Sequence, residues 1–347
     1  MISALKVATY YALDDIRIEN KPKPKIAADE ILVKMKACGV CGSDLMDWYL
    51  RNRAPLVLGH EPSGVVAEAG KKVEGFKVGD RVFVHHHVAC LNCHFCLHGD
   101  YTLCSQFVQT HLDPGGFAEY FRAPALNVQL DTLKLPDHVS LEEATLIEPV
   151  GCCIRAQDQC NIKKSDSVAV VGAGPSGIIH STLAKLAGAS KVIVSDTVDY
   201  RLKAAERLAA DLTVNPLKER VAEKVRDVTE GRGADVVIVT APNVKAIEES
   251  VSICRKGGTL CLFAPTKPEE QASISPHKLF FNEIRIMPSY STSHIETRKA
   301  LELISSGKIK AKELITHRFP LSQTAEAFRI AAYSKECLKV IVTNEKQ

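Results

Sequence analysis

The 347-residue chain contains no run of about 18 apolar residues, so a membrane-spanning helix is not expected. Neither sign of charge is in excess. Lys and Arg number 44 against 41 Asp and Glu, a net charge of +3, which gives no electrostatic reason to expect nucleic acid or anionic lipid as partner. Aromatic residues are sparse at 6%, with a single tryptophan. Low-complexity segments and internal repeats are absent. With 46% hydrophobic and 24% charged residues, a disordered chain, a coiled coil and a collagen-like repeat are excluded. The opening residues lack a basic stretch followed by an apolar one, so no secretion signal is expected and a cytoplasmic location is. The length fits two domains.

Cysteine is what the chain has in abundance: twelve residues. In a reducing compartment, clustered cysteines point to metal before disulfides. Cys90, Cys93, Cys96 and Cys104 have the spacing C-x2-C-x2-C-x7-C. Two-residue gaps let successive thiolates converge on one ion, and a fourth closes a tetrahedron. Such a shell has no open position, which makes a zinc there structural. An iron–sulfur cluster is the alternative ligand for this spacing, and unrelated free thiols the third reading.

Patterning divides the chain. Before about residue 150, the alternating segment 31–40 reads as a half-buried strand, residues 82–84 read as another after the Gly79-Asp80 turn, and 115–121 and 127–130 look similar. Beyond it, strands at 167–171, 191–195, 235–240 and 259–263 alternate with helical stretches at 176–186, 200–210 and 245–254. That alternation predicts a doubly wound parallel sheet. Near Met287 it stops. The tail, with helices at 296–305 and 322–333 and a strand at 338–342, is expected to return to the first half.

Gly172-Ala173-Gly174-Pro175-Ser176-Gly177 follows the strand SVAVV and opens a helix. The first glycine permits the tight turn, the second lets backbone approach a pyrophosphate, and the third lets helix pack on strand. Helix-start N–H groups then face the phosphates. Asp196 ends the next strand, 19 residues after Gly177. A carboxylate there bonds ribose hydroxyls and repels a 2′-phosphate, which favours NAD over NADP. Arg201 is a candidate to clamp the adenosine, or else a solvated helix-start arginine. A glycine turn that binds nothing is the bland alternative.

A second constellation is spread over the first half. Cys41 sits in GVCGSD, His60 and Glu61 in LGHEP, and Glu148 in IEPV. Thiolate, imidazole and carboxylate are all zinc donors, and three protein ligands leave a position for water or substrate. Singly, each reads as a buried cysteine, a core histidine or a surface acid. The string G-H-E-x2-G-x5-G-x2-V, from Gly59 to Val73, frames His60 with glycines.

With these strings in this order, the sequence resembles the zinc-containing medium-chain alcohol dehydrogenases along essentially its whole length. It is most similar to the sorbitol (polyol) and threonine dehydrogenase branch, which places a glutamate where many members place a third cysteine ligand. Glu148 matches that glutamate. The resemblance implies an α/β fold: a GroES-like irregular β catalytic domain (residues 1–150 and 288–347) and a Rossmann NAD-binding domain (151–287). It implies two zinc ions per chain, NAD, a small-molecule alcohol substrate and a homo-oligomer, dimer or tetramer. Cys41 and His60 resemble the fixed catalytic-zinc ligands. Glu61 and Glu148 match two acids, one on zinc and one orienting its water. Asp44 matches the acid on the outer nitrogen of the zinc histidine, and Ser43 the hydroxyl that takes the substrate proton. An NADP-dependent reductase of the same fold and a non-catalytic zinc or dinucleotide binder are the competing readings.

Two departures stand out. Many relatives carry a relay histidine five residues after the ligand cysteine, and here Met46 stands there, so the proton must leave through Asp47, water or another group. Cys41 and His60 are separated by only 19 residues, which removes loop that usually walls the substrate pocket. Trp48 and Tyr49 are open between pocket and packing roles. In the run His85-His86-His87, His87 matches a histidine near the threonine dehydrogenase active site. It is expected to accept a proton with a pKa near the ordinary ~6.5.

Overall fold

The computed structural model describes residues 4–344. The chain divides into two compact units. One comprises the residues up to Gly151 and those from Thr292 onward, and the other is Cys152–Ser291. These divisions fall one and four residues beyond those expected. The later one moves because the strand Arg285–Pro288 is still the sixth strand of the second unit's sheet.

In the first unit, a seven-stranded sheet runs in the order Ile315–Pro320, Lys339–Thr343, Ile31–Gly39, Glu61–Ala69, Arg81–Val84 and Thr132–Lys134, with Tyr120–Ala123 also paired to Ile31–Gly39. Ala4–Ala12, Asp15–Pro22 and Leu56–Val57 make a second, three-stranded sheet. Their inward faces meet over Tyr10, Met35, Phe117, Phe121 and Phe328, all buried. The tail therefore does return to the first unit, and does so as a pairing strand: Ile341 lies opposite Gly39 and Val342 opposite Cys38. Residues 127–130, expected as a strand, lie in the helix Ala125–Asp131. The extended Pro124 precedes the helix, and Val128 and Asp131 share its buried face at helical spacing.

The second unit is a six-stranded parallel sheet in the order Leu212–Val214, Lys191–Ser195, Ser167–Val171, Ala234–Val239, Cys254–Leu262 and Arg285–Pro288. This is the doubly wound order, and it reverses beside Ser167–Val171, where the glycine turn leaves the sheet. The near-continuous apolar runs of these strands are what a sheet covered on both faces requires. No helix among the described residues is long and apolar enough to cross a membrane.

Candidate active site

Strand register brings the first donor set together. Gly39 lies opposite Glu61 on one side and Ile341 on the other. Cys41, two residues past Gly39, and His60, just before Glu61, therefore leave neighbouring strands at one sheet end. Donor atoms of Cys41, His60 and Glu61 all lie within 4.8 Å of one another. The short 3-10 helix Gly42–Leu45 follows Cys41 and carries Ser43, which is half-buried, and Asp44, which is buried. One Asp44 oxygen accepts the backbone N–H of Cys41 (3.0 Å), and the other lies 3.3 Å from His60 Nδ1. With Nδ1 engaged, Nε2 is the imidazole's free donor. Burial pulls the His60 pKa down, but the Asp44 carboxylate and the Cys41 sulfur outweigh it, and the net value stands well above the ordinary one.

Glu61 is fully buried, and its Oε1 has no hydrogen-bond partner among the described residues. An orphaned carboxylate oxygen beside a thiol and an imidazole is what a metal would satisfy. Burial pushes the Glu61 carboxyl above its ordinary value, against the pull of Lys339 and His60. A Cβ at Gly39 would stand 1.8 Å from Glu61 Oε2, so glycine is required there. Glu148, in the first turn of the helix Ile147–Cys160, is buried and near enough for its charge to act on Glu61 and Lys339. It stands outside the 4.8 Å donor group.

The second donor set is the loop Cys90, Cys93, Cys96 and Cys104, whose sulfurs also lie within 4.8 Å of one another. The Cys93–Cys96 and Cys90–Cys96 sulfur separations are 3.5 and 3.9 Å. Four sulfurs about 2.3 Å from one tetrahedral zinc stand about 3.8 Å apart. In a four-iron cluster each cysteine binds a different iron, and in a two-iron cluster the four divide between two irons, so the sulfurs spread further than the 4.8 Å found here, which favours a single ion. Leu91 takes a left-handed conformation (φ 62°) that bends the chain around Cys90. The N–H of Asn92, helped by that of Cys93 and opposed by burial, brings the Cys90 thiol down to about 6. The lobe's own core is small: Ala89, Cys96, Cys104 and Phe107, with Tyr101 against them.

In the other unit, the turn after Ser167–Val171 has the three-glycine geometry. Gly172 has φ 109°, and a Cβ there would meet the Thr240 hydroxyl at 2.4 Å. A Cβ on Gly177 would strike Gly172 O at 1.9 Å, whereas one on Gly174 would meet nothing. The space over Gly174, N-cap of the helix Pro175–Leu186, is where a pyrophosphate would approach. Ser176 follows Pro175 in its first turn. Asp196 accepts the N–H of Ala173 (2.7 Å) and of Val198 (2.8 Å), which ties the second strand's acid to the turn. Arg201 lies in the first turn of the helix Asp199–Leu208.

Comparison with known proteins gives the family. Residues 27–137 match the alcohol dehydrogenase GroES-like domain, and residues 175–306 match the zinc-binding dehydrogenase domain. The chain is 35% identical to the sorbitol dehydrogenase of Bacillus subtilis, over 97% of each chain. It is 32% identical to the L-threonine 3-dehydrogenase of Pyrococcus furiosus, over 96% of each. A zinc-binding dehydrogenase of Sinorhizobium meliloti, solved with NADP, superposes with a TM-score of 0.88 at 29% identity, covering 98% of this chain and 99% of that one. The chain belongs to the zinc-binding medium-chain dehydrogenases. It is an oxidoreductase of that family, with the two-domain fold expected of it.

Sequence reasoning missed one residue beside the first donor set. Lys339, on the tail strand Lys339–Thr343, is buried, pairs with Glu61 Oε2 and donates to Val40 O at 3.0 Å. Burial lowers its pKa, but Glu61 and Cys41 outweigh this and the value is raised. Only the long-range pairing of the tail with Ile31–Gly39 puts it there, so no local motif announces it. Lys339→Met would leave the Glu61 carboxylate buried without its countercharge. We expect the metal-free protein to lose about 3 kcal/mol or more in urea denaturation, and zinc loading to restore part of it.

The histidine run corrects one expectation. His87 Nδ1 donates to Thr110 O (2.6 Å), and the ring packs against His86, Phe107 and His111. Burial holds its pKa down at about 3. It is therefore neutral throughout the working range and does not titrate near 6.5. His87→Ala should leave the acid limb of the pH–rate profile where it is in wild type, and a limb displaced by half a unit or more would contradict this. Asp47 is engaged as well, accepting from Tyr10 Oη (2.9 Å) and pairing with Arg51. Tyr49 is half exposed, with the Arg53 guanidinium over its ring at 4.2 Å and Trp48 at its edge.

Proposed function

We propose that the chain is an NAD-dependent zinc dehydrogenase that oxidises a secondary hydroxyl of a polyol, a sugar derivative or a hydroxy amino acid, with two zinc ions per chain. The observation that carries this is the convergence of Cys41, His60 and Glu61 donors with Asp44 held against His60. Zinc held by these donors would supply Lewis-acid polarisation of the substrate hydroxyl, and NAD held at the glycine turn would supply the hydride acceptor. The chain's own residues do the rest. Asp44 fixes the ring orientation of His60, and Glu148 is the second acid, which would orient the water on the metal. Ser43, two residues from Cys41, takes the hydroxyl proton and passes it outward, and His87, held by Thr110 O, is a fixed neutral ring. The four cysteines of the lobe hold the structural ion. Gly172, Gly174, Pro175, Ser176 and Gly177 seat the pyrophosphate, Asp196 the adenosine ribose and Arg201 the adenosine.

A retired site needs no such set of donors with its outer hydrogen bond intact, which weighs against a non-catalytic binder. The test is a screen of secondary alcohols, polyols and threonine with NAD and with NADP, before and after chelation. Chelator-sensitive NAD reduction supports the reading, and no reduction with any alcohol overturns it. For the choice of dinucleotide, Asp196→Ala should raise the KM for NAD by about 10–100-fold, the worth of hydrogen bonds to a charged acceptor. The variant should also gain on NADP relative to NAD. Equal use of both dinucleotides by the wild type would contradict the assignment of Asp196.

A further inference from the structure

Neither donor set nor the glycine turn uses Asp131, His85 or His86. Asp131 ends the helix Ala125–Asp131 and is fully buried, as are His85 and Thr297. Asp131 Oδ2 lies 2.8 Å from His85 Nδ1, and Oδ1 accepts the Thr297 hydroxyl at 2.7 Å, with Arg298 Nη1 3.6 Å away. Backbone bonds fix the pair: His85 N–H donates to Asp131 O (3.0 Å), and the Asn127 amide donates to the carbonyls of His85 and His86.

A carboxylate only accepts, so the hydrogen of a neutral His85 is on Nδ1 and its Nε2 is a lone pair. That Nε2 is buried with no partner among the described residues, and so is Nδ1 of His86. The two rings stand edge to face, 5.1 Å apart. The two orphaned nitrogens do not bond one another directly, but one bridging water satisfies both if His86 carries its hydrogen on Nδ1. His86 then keeps a lone pair on Nε2, in a ring 4.9 Å from the ring of His60.

We propose that Asp131 and His85 are positioning residues that lock His86 as a hydrogen-bond acceptor beside His60, and that this acceptor selects substrates carrying a second hydroxyl next to the one oxidised. The proposal rests on the alcohol oxidation proposed above. A vicinal diol gives the lone pair a donor. A simple alcohol leaves it unpaired, which is how a polar site discriminates.

The test has two arms. In the zinc-loaded wild type labelled with 15N-histidine, NMR should show His85 and His86 protonated at Nδ1 and bare at Nε2, the signals being assigned by their loss in His85→Gln and His86→Gln. In kinetics, Asp131→Asn puts an amide donor within reach of His85 and reverses the chain. The KM for butane-2,3-diol should rise about tenfold, while kcat/KM for butan-2-ol stays within about twofold. Hydrogens on Nε2 of both histidines overturn the proposal, and so does an equal loss on both alcohols. Should Asp131→Asn fail to fold, the wild-type spectrum decides alone. A wild type that reduces NAD(P) with no alcohol overturns the function reading and the selection with it. Diol oxidation with an unchanged KM in Asp131→Asn overturns only the positioning chain.

Discussion

Cys41→Ser is expected to lower turnover by about 1,000-fold or more while the protein stays folded. A metal that polarises the reacting oxygen contributes several kcal/mol to the barrier, and each 1.36 kcal/mol is about tenfold in rate. Serine offers a neutral hydroxyl in place of the thiolate, and His60 and Glu61 alone make a poor site. Metal analysis should fall from about two zinc ions per chain to about one. The fold should survive, because the sheet end that carries Cys41 is held by strand pairing and by the Lys339–Glu61 pair. Wild-type turnover in Cys41→Ser would remove this cysteine from the catalytic set.

Cys96→Ser should do the reverse. The lobe's core consists of Ala89, Cys96, Cys104 and Phe107 with a few partly buried neighbours, too little apolar surface to hold a loop unaided. Metal binding there is folding energy, and breaking a closed four-sulfur shell removes several kcal/mol of it. We expect the thermal midpoint to fall by about 10 °C and proteolysis to begin in residues 90–104. Residual folded enzyme should keep its kcat within about twofold. An unchanged midpoint in Cys96→Ser would show that the lobe stands without its ion. Together the two variants separate a metal that reacts from a metal that folds.

What was legible in the sequence follows from the range of the interactions. The glycine turn, the two-residue cysteine gaps and the apolar strands of Cys152–Ser291 are set by neighbours in sequence, so their pattern carries their geometry. Residues 127–130 misled because Val128 and Leu130 alternate like a strand, while burial of Asn127 and Asp131, both polar, is what marks the inner face of the helix. Their burial has a cause only in three dimensions, since they bond His85 and His86. Lys339 was invisible for the same reason: its partner, Glu61, is 278 residues earlier. The expected titration of His87 took the ordinary imidazole value, which holds in water, whereas the histidine and phenylalanine rings around it shield it partly from water.

The central claim is that hydride passes from a secondary carbinol carbon to the nicotinamide. It is tested most directly with a polyol deuterated at that carbon, mass spectrometry of the reduced cofactor being the readout. The account predicts reduced NAD carrying a single deuterium, formed by the zinc-loaded wild type and not by Cys41→Ser. Reduced cofactor without deuterium, or the same yield of deuterated cofactor from both proteins, would contradict it.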